Sequence, residues 1–430
     1  MRALSLTLLL SLICAATPAF SLTLDDALQA ALQNHQQIER FRANAASSQA
    51  AVGSARAAFL PSVDLGYNYI QQDQDPFQLG SEASTMSLSG SLNLFNGLAD
   101  YQRYQAAKHL SAGANFQLQG ILADIILETK RAYIEVLRAE RSADTEKDGV
   151  ELLQRQQRDA ALRFEHGVIA RNELLRVEVE LSTARQALLR ADGDYQIARR
   201  RLERVIGIKL NDDDKLQEDT DPRQIAFDLE PTDAYQREMQ DKRSELNYLR
   251  ELVAAAKREK TASKGSYLPN LDLKLSHEEY GDSISPNGRD NSYDEDNKLL
   301  LSASWNLFNG LGDHNSVAAA NAKVRAATAE LRDTEAILLL QLETALKEAR
   351  VATGQLDESQ IGVTQATENY RVTENRYKQQ QATTVDLLDA QFLLTRSRNL
   401  QVDARYNLYL TSAALERILE RAPLEQTKMQ

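Results

Sequence analysis

Apolar and polar residues follow two rhythms along this chain. Over two long stretches the apolar positions return every three or four residues. Leu118, Leu122, Ile125, Thr129, Ala132, Val136 and Ala139 form one stripe. Leu174, Val177, Leu181, Ala184, Leu188, Ala191, Tyr195, Ala198, Leu202 and Val205 form another. A repeat near 3.5 residues keeps one stripe facing a partner, so these are the seams of long packed helices. Many seam positions are Ala, Thr or Ser, which lets neighbouring helices approach closely. The prolines agree: none lies between Pro76 and Pro222 or between Pro286 and Pro423, and proline breaks helix interiors. About 65 unbroken residues from Leu98 make a rod of roughly 97 Å.

The second rhythm has period two, the mark of a strand with one apolar and one polar face. Val63, Leu65, Tyr67 and Tyr69 alternate with Asp64, Gly66 and Asn68. Met86, Leu88, Leu92 and Leu94 alternate with Ser87, Ser89, Ser91 and Asn93. Further on, Leu271, Leu273 and Leu275 alternate with Asp272, Lys274 and Ser276. Leu301, Ala303, Trp305 and Leu307 alternate with Ser302, Ser304 and Asn306. Each stretch is about 10 residues, the length of a tilted outer-membrane strand. Two soluble hairpins packed on a core would show the same pattern. Four strands cannot close a barrel, since the smallest membrane barrels have about eight. Open edges do not exist in lipid, so membrane-spanning strands require several chains to pool them.

The second half repeats the first. Phe59-Leu60-Pro61-Ser62-Val63-Asp64-Leu65 matches Tyr267-Leu268-Pro269-Asn270-Leu271-Asp272-Leu273, 208 residues on. Leu94-Phe95-Asn96-Gly97 matches Leu307-Phe308-Asn309-Gly310, 213 residues on, and that offset then holds to the end. Five extra residues therefore sit between the strands of the second unit, while the helices keep register. Asn-Gly usually closes a tight hairpin. Both copies here lead from a strand into a long helix.

These signals divide the chain as follows. Residues 1–21 are a leader. The first repeat, 22–207, has a helix, a β-hairpin over 62–95 and long helices over 98–162 and 171–206. An acidic junction covers 208–232. The second repeat, 233–420, has a helix, a hairpin over 270–308 and long helices over 312–376 and 384–419. A tail covers 421–430. In the leader, Arg2 precedes an apolar run from Leu4 to Ala16, and Ala19-Phe20-Ser21 supplies the small residues of a cleavage site. Ile13 before Cys14 is too bulky for a lipid-attachment site. Removing the leader removes the only cysteine, so no disulfide supports the mature chain.

Composition narrows the function. The 430 residues are 43% apolar and 26% charged, with net charge −12. A disordered tail, a collagen-like chain and a disulfide scaffold are excluded. A chain this acidic does not attract nucleic acid. Mean hydropathy is −0.46, and no apolar run after the leader reaches the ~20 residues of a membrane helix. No phosphate loop, His-Glu-x-x-His or Gly-x-Ser-x-Gly motif occurs, and the five histidines do not cluster in sequence. We therefore expect no enzyme, no cofactor and no metal, and any transport through this protein is powered by a partner.

The order of these pieces resembles the TolC-like outer-membrane channel family over essentially the whole mature chain. The matching segments are Leu22-Thr23-Leu24-Asp25-Asp26-Ala27-Leu28, the two Leu-Pro-x-(Val/Leu)-Asp-Leu strand starts and the two Leu-Phe-Asn-Gly junctions. Arg163-Phe164-x-x-Gly167 and Val385-Asp386-Leu387-Leu388-Asp389-Ala390 match as well. The resemblance implies a mainly α fold with β: a homotrimer whose shared 12-strand barrel crosses the outer membrane and continues as an α-helical periplasmic tunnel. It implies a passive duct of a tripartite efflux pump or type I secretion system, served by a periplasmic adaptor and an inner-membrane transporter. The alternative is a periplasmic coiled-coil adaptor or scaffold without a pore. An adaptor carries one helical hairpin and an inner-membrane or lipid anchor; two hairpins and neither anchor favour the duct. His35-Gln36 departs from the family's usual Asn-Pro. Gln380 stands where the first unit has Gly167, so the second turn is expected to differ in shape.

The resemblance also assigns residues. Asp386 and Asp389 share one helix face. Six such carboxylates around one constriction would favour cations; equally, acids in a first turn cap their own helix. Tyr377 and Glu173 are the implied gate partners, and Ala382 occupies the place of a basic partner found in some members. The closed state is thus expected to lack one ionic lock. Arg163, Phe164, Gly167, Val168, Arg376 and Ala382 belong to the tips where an adaptor would dock, although Arg163 and Arg376 also suit helix C-termini. Tyr67, Tyr69, Trp305 and Phe308 fit an aromatic girdle at the membrane surfaces, or a core.

Overall fold

The computed structural model describes residues 22–73, 82–211, 214–218, 232–289 and 293–421. The expected leader, most of the acidic junction and the tail beyond Arg421 lie outside the described residues. The first half runs α1 (Leu24–Asn34), α2 (Gln36–Ala57), β1 (Ser62–Gln71), β2 (Glu82–Asn96), α3 (Ala99–Glu165) and α4 (Arg171–Ile206). The second runs α5 (Thr232–Lys242), α6 (Ser244–Ser263), a 3-10 turn (Lys264–Tyr267), β3 (Asn270–Gly281), β4 (Glu295–Ser304), α7 (Gly312–Lys378) and α8 (Thr384–Leu419). α3 and α7 have 67 residues each, α4 and α8 36 each, and all four pairs of ends differ by 213. The long helices therefore measure about 100 Å.

The seams hold these helices together. Ile125, Thr129 and Val136 of α3 are buried, as are Val177, Leu181, Ala198, Leu202 and Val205 of α4. α3 packs on α4, α7 on α8, and α3 also on α8, which gives the lateral order α4–α3–α8–α7. Apolar burial is strung along the axis in separate clusters. One surrounds Ile38, Tyr133, Leu202 and Tyr406 at mid-length, and another joins Val150, Leu153, Val177 and Leu388.

Two joints close the mid-section. α1 and α2 part at His35, whose Nδ1 accepts from the Gln37 amide at 3.3 Å and caps α2. The break thus occurs without proline. Asn34 donates to the Ile206 carbonyl at 3.3 Å, so the end of α4 abuts this break. In the second half Arg417 near the end of α8 is 5% exposed and reaches Asp124 of α3 at 2.8 Å and Glu245 of α6 at 2.7 Å. Glu420 accepts from the Ser244 amide at 2.8 Å, and Arg243 donates to the Arg417 carbonyl. Burial pushes the Glu420 carboxyl up. At Glu245 burial pushes the same way, but Arg243 and Arg417 outweigh it and hold that carboxyl below its usual range.

The strands form one antiparallel sheet in the order β1-β2-β3-β4. Its register rows gather most of the apolar side chains on one face, although His277, Glu279, Glu295 and Asn297 share that face and Leu300 lies on the other. Val63, Gly90, Leu275 and Leu299 lie in one row, and Leu92, Leu273 and Leu301 in another on the same face. Asp64, Ser89, Ser276 and Lys298 line the opposite, polar face, as do Gly66, Ser87, Glu278 and Asp296. β4 stops at Ser304, although the alternation in sequence runs on to Leu307. There the Trp305 indole donates to the Tyr267 carbonyl at 3.1 Å and Asn306 caps the Phe308 amide at 3.1 Å, so a local turn replaces the ladder. No helix among the described residues is long and apolar enough to cross a membrane.

Four left-handed residues turn strands into helices: Gly97 (φ +66°) with Leu98 (φ +63°), and Gly310 (φ +69°) with Leu311 (φ +71°). Two successive left-handed residues are a type I′ geometry, used here to swing the chain into α3 and α7. At the far end the two turns are alike, contrary to the difference expected from Gln380. Gly167 has φ +71° and Gln380 φ +60°. Val168 donates to the Arg163 carbonyl and Gln381 to the Arg376 carbonyl, both at 2.8 Å. Helix register fixes both turns, and Gln380 bears the left-handed strain that glycine avoids.

Two outcomes follow for stability. Gln380→Gly stabilises its turn, and Gly167→Ala destabilises its own, each by about 1 kcal/mol; hydrogen exchange at the Gln381 and Val168 amides reads both. Arg417→Met removes the buried cation shared by Asp124, Glu245 and Glu420 and lowers stability by about 3 kcal/mol in denaturant titration.

Candidate functional site at the helical tips

The far ends of the two hairpins bring three of the expected residues, Arg163, Tyr377 and Glu173, into contacts between the repeats. Arg163 ends α3 and Tyr377 ends α7. The guanidinium lies 4.5 Å from the Tyr377 ring centroid, and its Nε donates to Asp159 at 3.1 Å. Tyr377 is 7% exposed. A cation held against a buried ring contributes on the order of 1 kcal/mol. One turn beyond, Thr384 at the start of α8 donates to Glu173 in the first turn of α4 at 2.6 Å. Both contacts tie the tip of one repeat to the tip of the other.

Glu173 and Asp386 are equivalent by the repeat, yet they do different work. Thr383 caps α8: its amide and hydroxyl donate to Asp386 Oδ2 at 2.8 Å each, and its hydroxyl accepts from the Asp386 amide at 3.2 Å. The equivalent cap of α4 is Ala170, which has no side-chain acceptor. Glu173 is thereby left available for Thr384. The Thr383 amide and hydroxyl, and Arg376 nearby, hold the Asp386 carboxyl below the usual range. Asp389 lies one turn further along α8 and is exposed.

The remaining tip residues divide by exposure. Phe164 and Val168 are 40% and 50% exposed. Gly167 has open space around it. Arg376 donates to the Gln381 carbonyl at 3.2 Å, closing the second turn. Ala382 lies half-buried beside it. At the sheet, Tyr67 and Tyr69 lie towards one end of the apolar face, while Trp305 and Phe308 lie beyond the other end, 60% and 77% exposed. Phe59 and Tyr267, equivalent in the repeat, are exposed at that same end and extend the aromatic set.

Sequence periodicity missed the cross-links above the tips. Gln391 of α8, 3% exposed, donates to the Gly149 carbonyl of α3 at 3.3 Å. Asn399 donates to Glu146 at 2.7 Å, and Gln156 to the Tyr370 hydroxyl at 3.3 Å. Gly149 admits α8 closely, with Thr395 3.6 Å from where a Cβ would stand. Beside this zipper lies a cavity of about 360 Å³ walled by α3, α4 and α8. The signal was present as amides inside an apolar stripe, at Gln391 and Asn399. No metal-binding cluster occurs among the described residues.

Comparison with known proteins places the chain. The family model described as outer membrane efflux protein matches residues 27–208 and 237–420. The outer membrane protein TolC of Escherichia coli is 23% identical over 415 residues, covering 91% of this chain and 80% of that one. The alkaline protease secretion protein AprF of Pseudomonas aeruginosa is 24% identical over 428 residues, covering 93% and 83%. The crystal structure of the CmeC outer membrane channel of Campylobacter jejuni superposes with a TM-score of 0.81 at 15% identity, covering 92% of this chain and 85% of that one.

The cap at Asp386 has a defined acid response. Its carboxyl is depressed in the folded chain, so its stabilisation is present above the ordinary carboxylate range and is lost as pH falls through the depressed value. Hydrogen exchange of the first turn of α8 accelerates on acidification relative to α4, and Asp386→Asn, which keeps an acceptor, removes that pH dependence.

Proposed function

The chain belongs to the outer membrane efflux protein family, and from that premise we propose that three copies of it form one passive duct from the periplasm to the exterior. It is an outer-membrane protein that extends into the periplasm, a non-enzymatic channel of the efflux and type I secretion type. The observation that carries the trimer is the pair of open margins. β1 and β4 are the two edges of the sheet, and an unpaired edge is untenable in lipid. β2 of the first repeat pairs with β3 of the second, so β4 is suited to pair with β1 of the next copy.

The helical layer has matching margins. α3 meets α8 inside the chain, and their repeat equivalents are α7 and α4. α7 exposes Val351, Ile361 and Val372, while α4 exposes Leu175, Val179, Leu189 and Ile197. These two apolar faces suit one another across copies. With the apolar sheet face turned to lipid, the polar face lines the lumen. It carries Asp64, Asp272, Glu278 and Asp296 against Lys274 and Lys298, a net charge of −2 per chain. Together with Asp386 and Asp389 at the entrance, this favours cations.

Partners follow from what the chain lacks and offers. Having no nucleotide motif, it depends on an inner-membrane transporter for energy. The exposed turn residues Phe164, Gly167 and Val168, with Ala382 and Arg376 on the second turn, are the surface for a periplasmic adaptor. Tyr67, Tyr69, Trp305 and Phe308 anchor the barrel at the two membrane surfaces.

Planar-bilayer recording of the purified protein tests the duct: stepwise, cation-selective insertions are expected. Asp386→Ala with Asp389→Ala lowers that selectivity, and an unchanged selectivity removes both from the entrance ring. Leu189→Asp, at a side chain exposed in the single chain, shifts native mass spectra from trimer towards monomer.

A further inference from the structure

Two amides of α8 line the cavity above the tips, and each holds a buried carbonyl oxygen that no donor reaches. We infer that this cavity binds a linear diamine, an aliphatic chain with a primary ammonium at each end. The site lies inside a single chain and goes beyond the proposed duct, which does not require it.

The amides set the polarity of the ligand. The Gly149 carbonyl and the Glu146 carboxylate can only accept, so they fix Gln391 Nε2 and Asn399 Nδ2 as the atoms turned to α3. The atoms left over are both acceptors, Gln391 Oε1 and Asn399 Oδ1, and both are buried without a partner. Gln391 as a whole is 3% exposed. A buried acceptor without a donor is uncommon in a folded chain, and two on one cavity call for donors that the chain does not supply. Eight residues of helix set the two amides about 12 Å apart along the axis, so the ligand carries a donor at each end.

Charge completes each end. Glu180 and Gln391 both lie seven residues beyond the Glu173–Thr384 contact, on helices that rise together from the tips, so Glu180 stands level with Gln391. At the other end Glu146 holds Asn399, and Asp403 follows one turn further along α8. An orphaned carbonyl beside a carboxylate suits an ammonium, which has three N–H donors and makes its strongest bonds to anions. Neither Glu180 nor Asp403 makes an ion pair among the described residues. Against these three acids, Arg396 is the single cation among the described lining residues. Between the two ends the wall is apolar, with Leu153, Ala184, Ala187 and Phe392, and suits methylenes. Phe392 is 56% exposed, so the cavity opens to the surface of the chain beside it. The volume of about 360 Å³ lies within the range of small-ligand sites.

The test is isothermal titration of the full chain in lipid nanodiscs. 1,8-Diaminooctane, whose extended chain matches the spacing of the amides, is expected to saturate one site per chain. 1,4-Diaminobutane has the same charge but is too short to reach both amides. The bis-trimethylammonium analogue of 1,8-diaminooctane has the charge and the length but no N–H. Each is expected to bind at least about tenfold more weakly, the loss of one charge-assisted hydrogen bond. Gln391→Leu lowers the affinity for 1,8-diaminooctane by about the same factor. Ala184→Phe fills the cavity, leaves both amides in place and abolishes binding. Should either variant fail to fold, the order of the three ligands on the wild-type chain decides. No saturable binding, or equal binding of the methylated analogue, would overturn the inference and leave the cavity to water. Binding that survives Ala184→Phe but disappears with Asp386→Ala and Asp389→Ala would belong to the entrance acids and overturn it as well. None of these results bears on the duct.

Discussion

A helix of 67 residues cannot bury itself. Its apolar stripe has to be covered by something of equal length and phase, and every other feature of this chain answers to that requirement. α4 covers the lower part of α3, while α2 and α6 cover the upper part. A gap or insertion in any helix would rotate the stripe by about 100° per residue out of its neighbour's reach. The five extra residues of the second half therefore fall between its strands. The same requirement explains the small seam residues, because Ala132, Ala184 and Ala198 keep the axes close where a larger side chain would wedge them apart.

The stripe and the duplication were legible from the residues alone because both are periodic. Period tells which face is buried and where helices must begin and end together. It does not tell what lies across the gap. Arg417 reads in sequence as one more charge in a final helical turn. Only the fold brings it against Asp124 and Glu245, 293 and 172 residues away. Arg163 and Tyr377 are likewise 214 residues apart, one more than the repeat, and meet only at the tips. Gln380 was misleading for a different reason. Residue type suggested a new turn shape, but the two helices that the turn joins were already fixed in register, and the backbone took the left-handed geometry regardless. β4 shows the converse, where hydrogen bonds of Trp305 and Asn306 overrode an alternation that continued in sequence.

The repeats are alike in backbone and unlike in chemistry. At mid-length the joint at the end of α8 is ionic and buried, through Arg417, whereas the equivalent Arg204 at the end of α4 pairs with Glu128 near the surface. At the tips Thr383 caps one hairpin with its own acid, whereas Ala170 leaves the equivalent acid to reach across. In the proposed trimer such differences give one fold two kinds of boundary, one within a chain and the other between copies. Duplication supplied the geometry, and substitution divided the duties.

The matched lengths of α3 with α7 and α4 with α8 also act as a ruler. The span from sheet to tip is written in heptads, about 10 Å each. Lineages that need a longer or shorter reach must change all four helices in step, by whole heptads, or lose the seam. Reach should accordingly vary among descendants in discrete jumps, while loops at the sheet drift freely in length.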